Sequence, residues 1–167
     1  MTVDGVDFAM LEPTAFSSGW CSHKFKGAGL CYEIAISIKG GDICWTNGPF
    51  PAGKYADLTI FRRGLKKKLD PGEYVEADHG YSGEPATIRL PFQAENKEEI
   101  ARKGRARARH EGFNGYIKNF GAMSKRWRHP IVDGQHKCAF DAVVSITQLA
   151  KEIGEFQPFE CSAPYWM

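Results

Sequence analysis

LCYEIAISIKGGDICWT, residues 30–46, is the stretch on which the fold turns. Its flanks, LCYEIAISI (30–38) and DICWT (42–46), are β-branched or aromatic and partly alternating, with Gly40 and Gly41 between them. Two such runs joined by a glycine pair read as neighbouring antiparallel strands. Upstream, VDGVDFAML (3–11) has the same character and is set off by Gly27 and Gly29, so an antiparallel meander of three strands is expected. Downstream, NGPFPAG (47–53) is dense in Pro and Gly and reads as a loop. YADLTIFRRGLKKKL (55–69) then places apolar residues at 58, 61, 65 and 69, with Asp57 positioned as a possible N-cap, and predicts a helix.

After the turn DPG (70–72), EYVEAD (73–78) alternates as a short strand, and HGYSGEP (79–85) forces a change of direction that leaves Asp78 at the strand terminus. Residues 86–92 add one more short strand, and 95–126 are helix-rich, with room for a break near Gly104. Apolar side chains at 140, 143, 144, 146, 149, 150 and 153 give the segment 138–153 a wide face that should pack on the sheet. The order predicts an α/β chain: a mixed sheet with three antiparallel strands first, then parallel strands reached through a crossover helix, and flanking helices. That is the element order of the ribonuclease H type fold. One domain over 1–160 is expected, with 161–167 as a C-terminal surface tail.

The chain has 167 residues, 43% hydrophobic and 25% charged, which is ordinary globular usage and excludes disordered and low-complexity classes. No window approaches the ~18 uninterrupted apolar residues of a membrane span, and MTVDGVD is acidic where a secretory signal would be basic. A soluble intracellular protein is therefore the expectation. The five cysteines (21, 31, 44, 138, 161) have no CxxC spacing, which favours reduced, mostly buried thiols over a disulfide framework or a zinc knuckle.

Net charge is only +2, but it is unevenly spread. Residues 101–128 hold nine Lys/Arg against the single acid Glu111. Arg62, Arg63, Lys66, Lys67 and Lys68 form a second cluster. Segregated positive charge attracts polyanions, of which nucleic acid is the commonest; the plain alternative is a solvated helix face.

Three acids stand where such a fold would gather them: Asp4 on the first strand, Asp78 at the end of the fourth, and Glu111 on the late helix. Clustered carboxylates repel one another unless divalent cations neutralise them, and Mg²⁺ prefers such hard oxygen donors. Paired ions suit phosphodiester cleavage. On a helix Arg107, Glu111, Asn114, Gly115 and Lys118 share one stripe, so a metal-binding acid would be flanked by cations able to hold a phosphate backbone.

VDGVDF, SHKFKGAGLCYEIAISI, WTNGPFPAGKYADLTIF, GEYVEADHGYSGE, RARHEGFNGYIKNF and HKCAFDAVVSITQLAKEIGE follow one another in a way that resembles the DDE superfamily endonuclease domain of Harbinger-type transposases, with kinship to bacterial insertion-sequence transposases. The resemblance spans about residues 3–159. It implies a ribonuclease H-like fold and a metal-dependent DNA endonuclease and transposase using two Mg²⁺ or Mn²⁺ ions. Asp4, Asp78 and Glu111 match the catalytic, metal-binding acids, and Arg107, Asn114 and Lys118 would contact DNA. Of the related bacterial Tyr-Arg-Glu-Lys signature, Arg107, Glu111 and Lys118 match and the Tyr position holds Gly104. The family's N-terminal DNA-binding module has no counterpart ahead of Asp4. The partners implied are DNA, a separate protein supplying end recognition and a second copy of the chain, with no membrane; the compartment implied is the nucleus in a eukaryote and the cytoplasm otherwise. A transposase-derived DNA-binding or protein-interaction module without catalysis, or a truncated relic, is the alternative.

Other residues have plainer readings. Asp57 either caps the first helix or joins the site from behind, while Asp7 falls at odd spacing from Asp4 and should face the opposite side of the sheet. His79 reads as a surface or supporting histidine, and His129, His136 and Cys138 lack a fourth zinc ligand at a recognised spacing. Trp20, Trp45 and Phe50 read as core or loop anchors.

Overall fold

The computed structural model describes residues 1–15, 17–90, 96–131 and 134–157. Strands β1 (Thr2–Ala9), β3 (Gly27–Ile36) and β4 (Ile43–Pro51) form the antiparallel meander, and a two-residue strand β2 (Cys21–Ser22), not expected from the sequence, pairs with the start of β3. β5 (Val75–Glu76) joins β1 in parallel and β6 (Ile88–Arg89) joins β5 in parallel. β6 falls within the strand expected over 86–92, of which residues 91 and 92 lie outside the described residues. The chain is thus α/β, with one mixed sheet in which β1 lies between β3 and β5, and β4 lies outside β3.

Alternation along the strands sorts the side chains into two cores. Val6 and Phe8 of β1, Met10 just after it, and Leu30, Tyr32, Ile34 and Ile36 of β3 pack against Phe113 and Ile117 of α2 (Lys97–Asn119), Met123 of α3 (Gly121–Ser124) and Phe140 and Val143 of α4 (Gln135–Glu152). On the other face Val3, Ala35, Val75 and Ile88 pack against Phe61 of α1 (Asp57–Arg63), with Leu65 and Tyr81 from the turns that follow. Helices therefore cover both faces. Asp7 lies opposite Cys31, and its carboxylate accepts from Ser22 Oγ at 2.5 Å, consistent with the opposite facing expected from its spacing.

Several boundaries differ from the sequence reading. NGPFPAG is not a loop throughout: β4 continues to Pro51, past a cis Gly48–Pro49 bond, with Phe50 opposite Cys31. Proline is tolerated because β4 pairs on one side only, so its missing N–H costs no ladder bond. Gly48, at φ 141, is required twice over, since a Cβ there would meet the Tyr32 ring at 2.7 Å.

The helix expected over 55–69 stops at Arg63; Gly64 breaks it, and Leu65–Lys68 continue as a 3-10 turn. Asp57 is the first helical residue, not the cap, which is Ala56 with no side-chain hydrogen bond. Conversely α2 runs unbroken through Gly104, whose exposed position costs only about 1 kcal/mol, while Ala106, Phe113 and Ile117 anchor the same helix in the core. Asn96 caps it, accepting from the Glu99 N–H at 2.9 Å. The last helix is Gln135–Glu152, and only part of its apolar face meets the sheet: Phe140, Val143 and Ala150 are buried, whereas Ile146, Leu149 and Ile153 are exposed. Residues 158–167, including the expected tail and Cys161, lie outside the described residues; Cys21, Cys31, Cys44 and Cys138 are free thiols, but only Cys31 is buried, so the expectation of mostly buried cysteines fails.

Candidate active site

The parallel pairing of β1 with β5 sets the site. Thr2 lies opposite Glu76, so two residues further along both segments Asp4 comes beside Asp78. Helix α2 runs along β1: the Thr2 hydroxyl is 2.9 Å from His110 Nδ1, and Asp4 Oδ2 accepts from Asn114 Nδ2 at 3.0 Å. The four helical residues from His110 to Asn114 rise ~6 Å and the two strand residues from Thr2 to Asp4 rise ~6.6 Å, which keeps helix and strand in step. Glu111 and Arg107 lie on the same helix, and a cleft of about 240 Å³ between these elements is lined by Asp4, Glu76, Asp78, Arg107 and Glu111 among others. The three acids singled out in the sequence thus share one cleft.

They do not share one setting. Asp4 is held by Asn114 and by its neighbour's backbone, the Gly5 N–H donating to Oδ1 at 2.8 Å. Burial pushes its carboxyl up to about 6; Lys24 opposes the rise, and Asp78 and Asp57 add to it. Asp78 caps the 3-10 turn His79–Tyr81, its Oδ1 accepting from the Gly80 N–H at 2.8 Å. Glu111 is exposed, with its Oε1 at 3.4 Å from Arg107 Nε.

Asp57 is the fourth acid. A Cβ on Gly5 would lie 2.8 Å from its Oδ1, and one on Gly80 would lie 2.9 Å from its Oδ2 and 3.1 Å from Asp78 Oδ1. Only glycines let the carboxylate enter from behind the sheet. Burial raises the Asp57 carboxyl, Lys24 lowers it, and Asp78 and Asp7 raise it further. Asp57 is therefore not the cap; its carboxylate lies instead between Gly5 and Gly80, close to Asp78. Lys24, which sequence reasoning missed, donates its ammonium to the Gly5 carbonyl and is the cation nearest in effect to both Asp4 and Asp57. Glu76 was also missed, although a period of two puts positions 76 and 78 on one face of a strand. Its carboxyl is raised by burial and lowered by Lys103 and Arg102.

The expected DNA-contacting stripe divides along its length. Arg107 is the ion-pair partner of Glu111, Asn114 is spent on Asp4, and Lys118 has its ammonium lowered by burial and by Lys24 while Asp7 and Asp4 draw it the other way. Beside Gly115 there is open space. His79 is exposed, and His136 is buried in the core within 2.8 Å of the Tyr32 hydroxyl, far from any role with Cys138, which is exposed. Trp20 and Trp45 are partly buried against the two cores, and Phe50 packs edge-on to Tyr55 at 5.9 Å.

The charge and donor type of the cleft fit a hard divalent cation. Asp4 and Asp78 offer only oxygen, and the mutual repulsion that helps raise Asp4 is what a cation would relieve. Among the described residues no three His, Cys, Asp or Glu side chains are grouped so as to hold one ion. Mg²⁺ is commonly held by one or two carboxylates and completes its shell with water and substrate phosphate, so the pair suffices as a starting set while Glu111 stays outside it. Compared with family models, curated proteins and solved structures, the chain matches none.

Proposed function

We propose that this chain is a metal-dependent DNA endonuclease and strand-transfer domain of the DDE type on a ribonuclease H-like fold. The observation that carries the reading is that Asp4, Asp78 and Glu111, far apart in sequence and on three different elements, line a single cleft. The sheet order supports the fold: antiparallel β4, β3 and β1 are followed across the sheet by parallel β5 and β6.

Asp4 and Asp78 would hold the ions, with Glu111 joining from the helix. The chemistry such ions would supply there is activation of an attacking oxygen and stabilisation of the departing oxygen at a phosphodiester. The protein's own residues do the positioning. Asn114 and the Gly5 N–H fix both oxygens of Asp4, and Gly80 fixes Asp78. Arg107, which lines the cleft and pairs with Glu111, would exchange that partner for a phosphate.

A nicking assay on supercoiled plasmid with Mg²⁺ or Mn²⁺ tests the proposal. The unaltered chain should nick, and Asp4→Asn, Asp78→Asn and Glu111→Gln should each lose at least about 100-fold, the loss common when a group stabilising the transition state is removed. Equal cleavage by all four proteins would overturn it. A second reading, a DNA-binding or protein-interaction module without catalysis, is favoured by the outward Glu111 and the lack of a three-acid group among the described residues. DNA binding without nicking in either metal selects it.

A further inference from the structure

The nine cations of 101–128 do not act together. Lys103 and Arg109 are buried, donating to the carbonyls of Leu90 and Ile38, and Arg107 pairs with Glu111. The uncommitted charge collects instead at KRWRH, residues 125–129, beside the end of β1 opposite to the one that lines the cleft. Lys125, Arg126, Arg128 and His129 are all exposed there. Among the described residues Lys125, Arg126 and Arg128 form no ion pair. From 112 to 132 the chain contains no acid at all.

This segment is tied to the end of β1 by a single isolated bridge. Trp127 N–H donates to the Ala9 carbonyl at 2.8 Å, its own carbonyl accepts from the Leu11 N–H at 2.8 Å, and Trp127 bridges Met10 in parallel. Its side chain packs against the core shared by β1, β3 and the helices. Trp127 is partly buried, and Arg126 and Arg128 on either side of it are exposed. They border a groove of about 590 Å³ whose floor includes Gly121 and Ala122, and a side chain added at Gly121 would meet nothing within 4 Å. Met10, the residue that follows β1, is six residues beyond Asp4, about 20 Å away at strand rise.

We infer that the 125–129 groove is a second nucleic-acid docking surface, which grips the phosphate backbone without taking part in cleavage. Positive charge on a rigid edge, with no acid in the adjoining sequence, is the complement of a continuous row of phosphates. The choice of nucleic acid over another polyanion rests on the function proposed above. At ~3.4 Å per base pair, a duplex lying in the cleft spans that distance in about six base pairs.

The test is binding in EDTA, so that cleavage plays no part. The anisotropy of a labelled 30-base-pair duplex is followed against KCl concentration for the unaltered chain, for Lys125→Ala/Arg126→Ala/Arg128→Ala, and for Lys67→Ala/Lys68→Ala, which removes exposed charge elsewhere. The triple variant should bind about tenfold more weakly at 0.1 M KCl, and its log–log salt slope should be smaller by roughly 2 to 3, at about 0.9 for each phosphate no longer neutralised. The Lys67/Lys68 variant should keep the parent slope to within about 1. An unchanged slope in the triple variant overturns the inference, as does an equal change in both variants. Binding of phosphatidylserine vesicles but not of DNA overturns the choice of partner. Should the triple variant melt early, Arg126→Gln/Arg128→Gln takes its place with an expected slope change of about 2. Because no metal is present, a failed nicking assay leaves this result standing, and a failed binding test leaves the nicking result standing.

Discussion

Asp4→Asn should stabilise the protein at neutral pH while abolishing nicking. In the folded chain the Asp4 carboxyl stands at about 6 against an ordinary value of 3.8, chiefly because burial penalises its charge. A raised carboxyl makes the folded state the better proton binder, so the penalty is absent below about pH 4, grows between pH 4 and 6, and is complete above 6. At ~1.4 kcal/mol per unit the full penalty is about 3 kcal/mol. The amide removes that charge and can keep both hydrogen bonds. Its oxygen accepts from the Gly5 N–H, and its NH₂ can face Asn114 once that side chain flips, presenting an Oδ1 that is now buried without a partner. Urea denaturation of parent and variant at pH 3.5, 5 and 7 measures the gap, which should open from near zero to about 2–3 kcal/mol in favour of the variant. A gap that is constant across this range, or that favours the parent at pH 7, would refute the claim that Asp4 carries a desolvated charge.

Two further predictions concern the core. Glu33, 1% exposed in β3, has its carboxyl pushed up to about 7 by burial, with only Oε2 bonded, to Trp45 Nε1 at 3.0 Å. Glu33→Gln keeps an acceptor for that indole and should raise stability above pH 7 by on the order of 3 kcal/mol, an advantage that fades as the pH falls toward 4.5; denaturation at pH 5 and 8 checks it. Phe140 is fully buried, stacked on Tyr32 with ring centroids 3.8 Å apart and 5.8 Å from Phe8. Phe140→Ala should cost about 3–5 kcal/mol in the same assay, with little of the loss recovered by changing pH.

How much of this was legible beforehand depends on which force decides each element. The meander was readable because alternating β-branched and aromatic residues have a face to bury, and 30–38 and 42–46 lie within observed β3 and β4 or at their edges. The extension of β4 through Gly48 and Pro49 was not, because edge position, which excuses a proline, is a property of the sheet and not of the segment. Helix α2 misled in two ways. Gly104 looked like a break, yet cohesion from residues on the far side of the helix outweighs a single exposed glycine. Its polar residues looked solvated, yet Lys103, Arg109 and His110 are buried and bonded to carbonyls and a hydroxyl that local periodicity does not reveal.

The cleft follows the same division. Asp4 and Asp78 could be placed from the sequence because each sits on or directly after a strand, and neighbouring parallel strands bring like positions together. Asp57 and Lys24 act through tertiary approach alone: one slides between two glycines and the other folds back onto the Gly5 carbonyl. The sign of their effects explains why such a cluster can persist without metal. Lys24 lowers both Asp4 and Asp57, offsetting part of the repulsion that Asp78 adds to each. A cation entering between Asp4 and Asp78 would therefore compete with Lys24 for the same field, and neutralising that lysine should favour the ion at the expense of the ion-free fold.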